Sequence, residues 1–202
     1  MDQIAVRTKF GDDYVATERT FRLGIDIRLA GAMAQRFAGM RVLETCTGAG
    51  FTTIALAKSA LRVATVEIDP DHQAQARANV ARAGVVDRVM FISGDATSDQ
   101  VLDVAAPFDS AFLDPDWAVS GPEHVYRFRH SNMRPPADAL LDKVLHRTSN
   151  VALILPPEMD LGELGGLPQH ECQSLFLEDR HALYCLYFGA LMRQSGSTEV
   201  HA

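Results

Sequence analysis

The chain has 202 residues, 47% of them hydrophobic and 22% charged, with a formal net charge of −7. That length suffices for one core and is short for two full domains, and the balance of residues excludes a chain disordered throughout. An acidic surplus is the opposite of what a protein gripping long stretches of nucleic acid carries, and Cys46, Cys172 and Cys185 show neither zinc nor redox spacing. No apolar run reaches membrane-spanning length and the first residues lack a signal-peptide pattern. The expectation is a single cytoplasmic domain over residues 1–202, with no membrane contact and no metal, an N-terminal extension over residues 1–28, and flexible tails at Met1 to Thr8 and at 194–202.

Hydrophobic period and punctuation give alternating strands and helices from about Leu29. Leu29 to Phe37 reads as a helix ending near Gly39, and Arg41 to Glu44 as a buried strand. A helix from Phe51 to Ser59 and a strand from Arg62 to Glu67 follow. Asp69 is a suitable cap and Pro70 a suitable first residue for a helix that runs to Arg82 and stops at Gly84. Val89 to Ile92 and Phe108 to Leu113 are strands three and four. Ala137 to His146 places Leu140, Leu141, Val144 and Leu145 on one helical face, and Asn150 to Leu155 is strand five. Cys172 to Leu177 and Ala182 to Phe188 lie too close for a crossover helix, so they pair as a hairpin. The fold class that follows is α/β: a mostly parallel, doubly wound, seven-stranded sheet with an antiparallel C-terminal hairpin strand.

Gly48-Ala49-Gly50 directly follows strand one, where it lets backbone approach a ligand, and the helix from Phe51 turns free N–H groups toward a carboxylate or phosphate. Glu44 closes strand one and Glu67 closes strand two, where a carboxylate can accept from ribose hydroxyls. The third glycine of a dinucleotide fingerprint would fall at Thr53, which disfavours a nicotinamide or flavin dinucleotide. Asp95, in Gly94-Asp95-Ala96 after strand three, can accept an adenine amino group or be a solvated loop acid. Asp114-Pro115-Asp116-Trp117 follows strand four, at the sheet end where such folds place ligands. Asp114 can accept from an amine, Pro115 stiffens the turn, and Trp117 offers a face for a base; the competing reading is a core tryptophan in a solvated turn.

The chain resembles the trimethylguanosine synthase family, the RNA cap guanine-N2 methyltransferases of the Rossmann-like class I type, over roughly Leu29 to Arg193. The resemblance is carried by Glu44 to Ile54, by Val66-Glu67-Ile68-Asp69-Pro70, by Phe91 to Asp95, by Asp114 to Trp117 with Gly121-Pro122, and by Leu183 to Gly189. It implies that S-adenosyl-L-methionine is surrounded by Glu44, Thr45, Cys46, Gly48, Gly50, Thr52, Thr53, Glu67, Ile68, Asp95 and Ala96. It further implies catalytic roles for Asp114, Pro115, Asp116 and Trp117, with an aromatic acceptor stacked on Trp117. Asp116 stands where the family has a second proline, and Ala118 and Val119 where it has glycines, so the acceptor pocket differs.

N-methylation of a planar, amine-bearing small molecule or nucleotide-like acceptor is the expected activity. Cyclisation of the cofactor's aminocarboxypropyl arm, or non-catalytic binding of cofactor or RNA, are the rivals. Tyr14 and Phe21, aromatic residues in a polar stretch, are expected to close over the cofactor as a lid. Arg127, Arg129, Arg134, Lys143 and Arg147, with His124 and His130, outnumber Glu123, Asp138 and Asp142 between Ser120 and Asn150. They make either a local phosphate site with weak RNA contact or a solvated face. The oligomeric state is left open.

Overall fold

The computed structural model of the chain describes residues 1–117 and 125–202. Where the sequence predicts one domain, the chain divides into two compact units, Met1–Asp109 and Ser110–Ala202.

The first unit opens with three short helices, α1 (Gln3–Phe10), α2 (Glu18–Leu23) and α3 (Ile27–Ala34). Strands β1 (Arg41–Thr45), β2 (Arg62–Glu67) and β3 (Val89–Ser93) then run parallel, joined by α4 (Phe51–Ser59) and α5 (Pro70–Arg82), with α6 (Asp99–Ala105) after β3. Val42 to Thr45 and Val63 to Glu67 are buried without alternation, as in a parallel sheet covered on both faces. Helix α4 is buried from Phe51 to Ala57 because it carries no charge before Lys58. Helix α5 buries one stripe, Gln73, Ala76, Asn79 and Val80, and begins where Asp69 accepts from the N–H groups of Asp71 and His72. At the start of β1, Arg41 holds Asp109 by two hydrogen bonds, of 3.0 and 2.6 Å. Those bonds keep the Asp109 carboxyl down at about 2.

The first residues are not the loose tail their polarity suggests. Asp2 caps α1, and Val6 and Phe10 are buried. Phe10 stacks on Phe51 with centroids 3.5 Å apart, and Phe21 meets Phe10 edge-on. Tyr14, 5% exposed, tilts against Phe51 in the same cluster. Full burial of such a side chain stabilises by roughly 1.5–3 kcal/mol, enough to order a segment of this length. The aromatic residues expected to form a lid are therefore packed into the core beside α4 and α5.

Asn79 fastens this segment. Its Nδ2 donates to Val15 O (2.8 Å) and Ala49 O (2.9 Å), and its Oδ1 accepts from Val15 N (2.7 Å). Gln75 adds bonds to Thr17 N and Thr20 Oγ1.

In the second unit, β4 (Ser110–Leu113) and β5 (Val151–Leu155) are parallel and fully buried, with α7 (Ala137–Leu145) between them. Strands β6 (His170–Leu177) and β7 (Arg180–Phe188) form the expected hairpin around Glu178-Asp179, and β7 pairs antiparallel with β5. The expected tail over 194–202 instead contributes β8 (Gly196–His201), parallel to β6. A buried carboxylate holds it there: Glu171, 1% exposed, accepts from Thr198 Oγ1 (2.7 Å) and Arg193 N (2.8 Å). In the first unit the strands lie in the order β3-β2-β1, and in the second in the order β4-β5-β7-β6-β8. The described residues thus form eight strands instead of seven, and the antiparallel β7 lies between β5 and β6.

Replacing Asn79 with Ala strands two carbonyls and one N–H, so we expect a loss of about 2 kcal/mol or more in stability. Denaturant midpoints of wild type and Asn79→Ala measure it, and coincident curves would show that the N-terminal segment is held by its aromatic contacts alone.

Candidate functional site

The turn between β1 and α4 carries positive φ at Cys46 (62°), Gly48 (55°) and Gly50 (81°). Gly50 is required twice, for its φ and because an added Cβ would come within 3.0 Å of Ala76 Cβ on α5. A Cβ at Gly48 would meet nothing within 4 Å, so the concave side of the turn stands open. Gly48 N donates to Glu67 Oε2 (2.7 Å), while Glu67 Oε1 accepts from Ile68 N (3.0 Å) and Asp69 N (2.9 Å). A carboxylate offers about four acceptor positions, and three are taken. Glu67 can therefore accept one further hydroxyl, at Oε2, instead of the pair that its place in the sequence suggests.

Glu44 is 2% exposed. Thr53 Oγ1 (2.5 Å) and Thr65 Oγ1 (2.6 Å) both donate to its Oε2. No bond reaches Oε1 from the described residues. Among the described residues, Thr45 Oγ1 and Gln73 Nε2 are sealed side-chain atoms without a partner. Burial pushes the Glu44 carboxyl up to about 7 in spite of the two hydroxyl bonds, and the charge of Glu67 adds to the rise.

The other expected cofactor residues are placed as follows. Thr53 is fully buried and holds Glu44, and Thr52 is 8% exposed at the start of α4. Ile68 is 71% exposed, an apolar side chain projecting from the end of β2 next to Glu67. Asp95 is exposed, and its Oδ1 accepts from Thr97 N (2.8 Å) and Thr97 Oγ1 (2.7 Å), closing the turn into α6 with Ala96 buried beneath. Thr65 and Thr47 were missed in the sequence. Thr65 could have been found, because it lies directly opposite Glu44 in the β1–β2 register.

In the second unit, Asp114 is half-buried after β4 and Pro115 is buried. Asp116 exchanges backbone bonds with Arg134 (2.8 and 3.0 Å), and its carboxylate lies 3.4 Å from the Arg134 guanidinium. Trp117 is half-buried and meets Tyr126 edge-on, 6.3 Å between centroids at 87°. Burial, then the charge of Glu158, raises the Tyr126 hydroxyl above its ordinary range. Gly121-Pro122, with Ala118, Val119, Glu123 and His124, lies outside the described residues. Part of the expected phosphate cluster is engaged by the protein itself at the surface: Arg129 donates to the carbonyls of Glu163 (3.1 Å) and Gly165 (2.5 Å), and Arg134 faces Asp116.

The sequence profile of the RNA cap guanine-N2 methyltransferase family matches residues 39–190. A catechol O-methyltransferase of Mycobacterium tuberculosis is 45% identical over 91 residues, 44% of this chain and 40% of that protein. A tRNA1(Val) (adenine(37)-N6)-methyltransferase of Aeromonas hydrophila is 30% identical over 148 residues, 68% of this chain and 61% of its own length. The matches thus span less than two thirds of these relatives. A solved structure from Porphyromonas gingivalis W83, proposed to be a methyltransferase, superposes with TM-score 0.77 over 96% of this chain and 49% of its own at 17% identity. That likeness establishes a Rossmann-like α/β fold.

The raised carboxyl of Glu44 makes a pH dependence measurable without any ligand. Below about 4.5 both folded and unfolded chains hold this proton, and between about 4.5 and about 7 only the folded chain does. Stability therefore falls as pH rises across that window and levels off above it, by up to about 3 kcal/mol. Denaturation of wild type and Glu44→Gln at pH 5, 6, 7 and 8 should show a difference that grows with pH in favour of the variant. A constant difference would mean that Glu44 is ionised throughout.

Proposed function

The chain belongs to the RNA cap guanine-N2 methyltransferase family, and from that premise we propose that it transfers a methyl group from S-adenosyl-L-methionine to a nitrogen of a planar, amine-bearing acceptor. The observation that carries the cofactor is the buried Glu44 carboxyl, both of whose bonds from the described residues fall on one oxygen, which leaves the other for the ammonium of an amino acid. The rest of the turn suits the remainder of that molecule: Glu67 Oε2 for a ribose hydroxyl, exposed Ile68 for the flat side of a base, and the open side of Gly48 for close approach. When bound, S-adenosylmethionine supplies a methyl group already activated by its sulfonium.

The protein's share of the work is to bind, orient and exclude water. Trp117 stacks on the acceptor ring, Tyr126 stands edge-on to bound it, and Asp114 accepts a hydrogen bond from the reacting amine. Asp116 closes the turn with Arg134. No strongly perturbed base is needed, because a methylated nitrogen gives up its proton readily to water.

A planar acceptor is what the names of the family and relatives share: guanine N2, adenine N6 and a catechol ring. A small acceptor, or a small exposed part of an RNA, is favoured by the net charge of −7 and by the bonds that engage Arg129 and Arg134 within the protein.

Labelled-methyl transfer to guanosine and adenosine nucleotides, catechols and bulk RNA tests the reading. Incorporation into a nucleobase amine is expected, with weak filter binding of bulk RNA. Trp117→Ala should cut turnover at least tenfold while S-adenosylhomocysteine affinity stays within about twofold, because a base stacked on an aromatic ring is worth about 1–3 kcal/mol. Parallel loss of cofactor binding would make Trp117 a packing residue, incorporation into catechol alone would overturn the nitrogen acceptor, and consumption of the cofactor with no acceptor labelled would favour cyclisation.

A further inference from the structure

We propose that the hydroxyls of Thr47 and Thr65 are a positioning relay that sets Glu44 to release a proton when a cationic group binds at its Oε1. This rests on the cofactor reading above and goes beyond it, because that reading gives neither threonine a part in holding the cofactor.

Each hydroxyl has one proton to donate. Thr65 Oγ1 lies 2.6 Å from Glu44 Oε2 and 2.5 Å from Thr47 Oγ1. If Thr65 donates to Glu44, Thr47 must donate to Thr65, so the chain of bonds has a fixed direction. Thr53 donates to the same Oε2. Two protons already converge on that oxygen, so the acid proton of a neutral Glu44 sits on Oε1, the atom that takes no bond from the described residues. Oε1 then has two states: an O–H, or a bare oxygen facing a cation.

The surroundings favour the first state until a cation arrives. Glu44, Thr53 and Thr65 are each at most 2% exposed and Thr47 is 6% exposed. From β2 the ionisable neighbour is Glu67, whose charge opposes a second negative charge at Glu44. Helix α4 brings no ionisable group before Lys58 in its last turn. An ammonium at Oε1 reverses the balance. The Glu44 proton passes to buffer, the carboxylate forms, and the ammonium keeps its own protons. Thr65 matters because its hydroxyl bond stabilises the charged carboxylate and, by engaging Oε2, leaves Oε1 to the cation.

Calorimetry of S-adenosylhomocysteine binding to the full chain, in buffers of low and high ionisation enthalpy, counts the protons released. Most of one proton is expected at pH 6, about half near pH 7, and little at pH 8, as for a group that titrates at about 7. Glu44→Gln should bind more weakly and release none. Thr65→Val should move the half-point of release up by about one pH unit and so weaken binding about fivefold at pH 7, and Thr65→Ser should restore both. Thermal melts of each variant keep a folding defect separate from these readouts. Wild-type binding with no proton exchange at pH 6 overturns the proton release and leaves the cofactor reading standing. An unshifted half-point in Thr65→Val removes the relay. No binding at any pH overturns the cofactor reading, and this inference with it.

Discussion

The turn between β1 and α4 cannot hold itself, and much of the first unit is arranged to hold it. Three of its five residues, Cys46, Gly48 and Gly50, have positive φ, a conformation that forms no ladder and little helix. Its backbone groups are met from outside: Thr47 N by Val66 O, Gly48 N by Glu67, and Ala49 O by Asn79. Gly50 lies against Ala76 with no room for a side chain. The ends of β2 and α5 thus fix the turn, and the N-terminal segment, bonded to the same Asn79, is coupled to it through one amide. A loop fixed this way keeps its concave side open without collapsing, the preorganisation a small-molecule site needs.

The two carboxylates beside this turn are treated in opposite ways. Glu67 is gripped by three backbone N–H groups that support its negative charge. Glu44 is buried deeper, meets two hydroxyls on one oxygen, and feels Glu67 as a like charge. Neighbouring acids whose environments diverge can take different partners, one a hydroxyl and the other a cation. The asymmetry follows from register: Glu44 lies opposite Thr65, two residues before the end of β2, whereas Glu67 ends its strand where the backbone turns and its N–H groups become available.

The same contrast explains what could be read from the sequence. The alternation of buried strands and helices from Leu29 to Phe188 was legible, α6 (Asp99–Ala105) excepted, because most elements carry their own period and their own stop, as Asp69-Pro70 and Gly84 do for α5. Glu44, Glu67 and the glycines were legible because they fall where strands end. Helices α1 and α2 were not, because their stability lies in contacts with Phe51, Gln75 and Asn79 that no local pattern announces. Strand β8 escaped for the same reason: Gly196 to His201 is polar, and a buried Glu171 more than twenty residues earlier in the chain holds it in place. The bonds that tie Asp116 to Arg134 were not legible either, because they join residues eighteen apart with no shared pattern.

Arg134 and Arg129 carry the argument on to selectivity. The stretch from Val125 to Pro136 lacks regular structure and is ordered by charged groups acting as hydrogen-bond partners to backbone: Glu163 accepts from Phe128 N and Arg129 N, and Asp138 accepts from His130 N. A guanidinium bonded to two carbonyls cannot also clamp a phosphate bidentately without releasing the loop it supports. On the proposed reading, the features near Trp117 that discriminate between acceptors are then flat and apolar, the Trp117 face and the Tyr126 edge, more than they are cationic. Such a corner selects for the shape of a ring and is nearly blind to what the ring is attached to. A free nucleotide and the exposed end of an RNA would meet it alike, and the attached chain would add affinity only through its first phosphates.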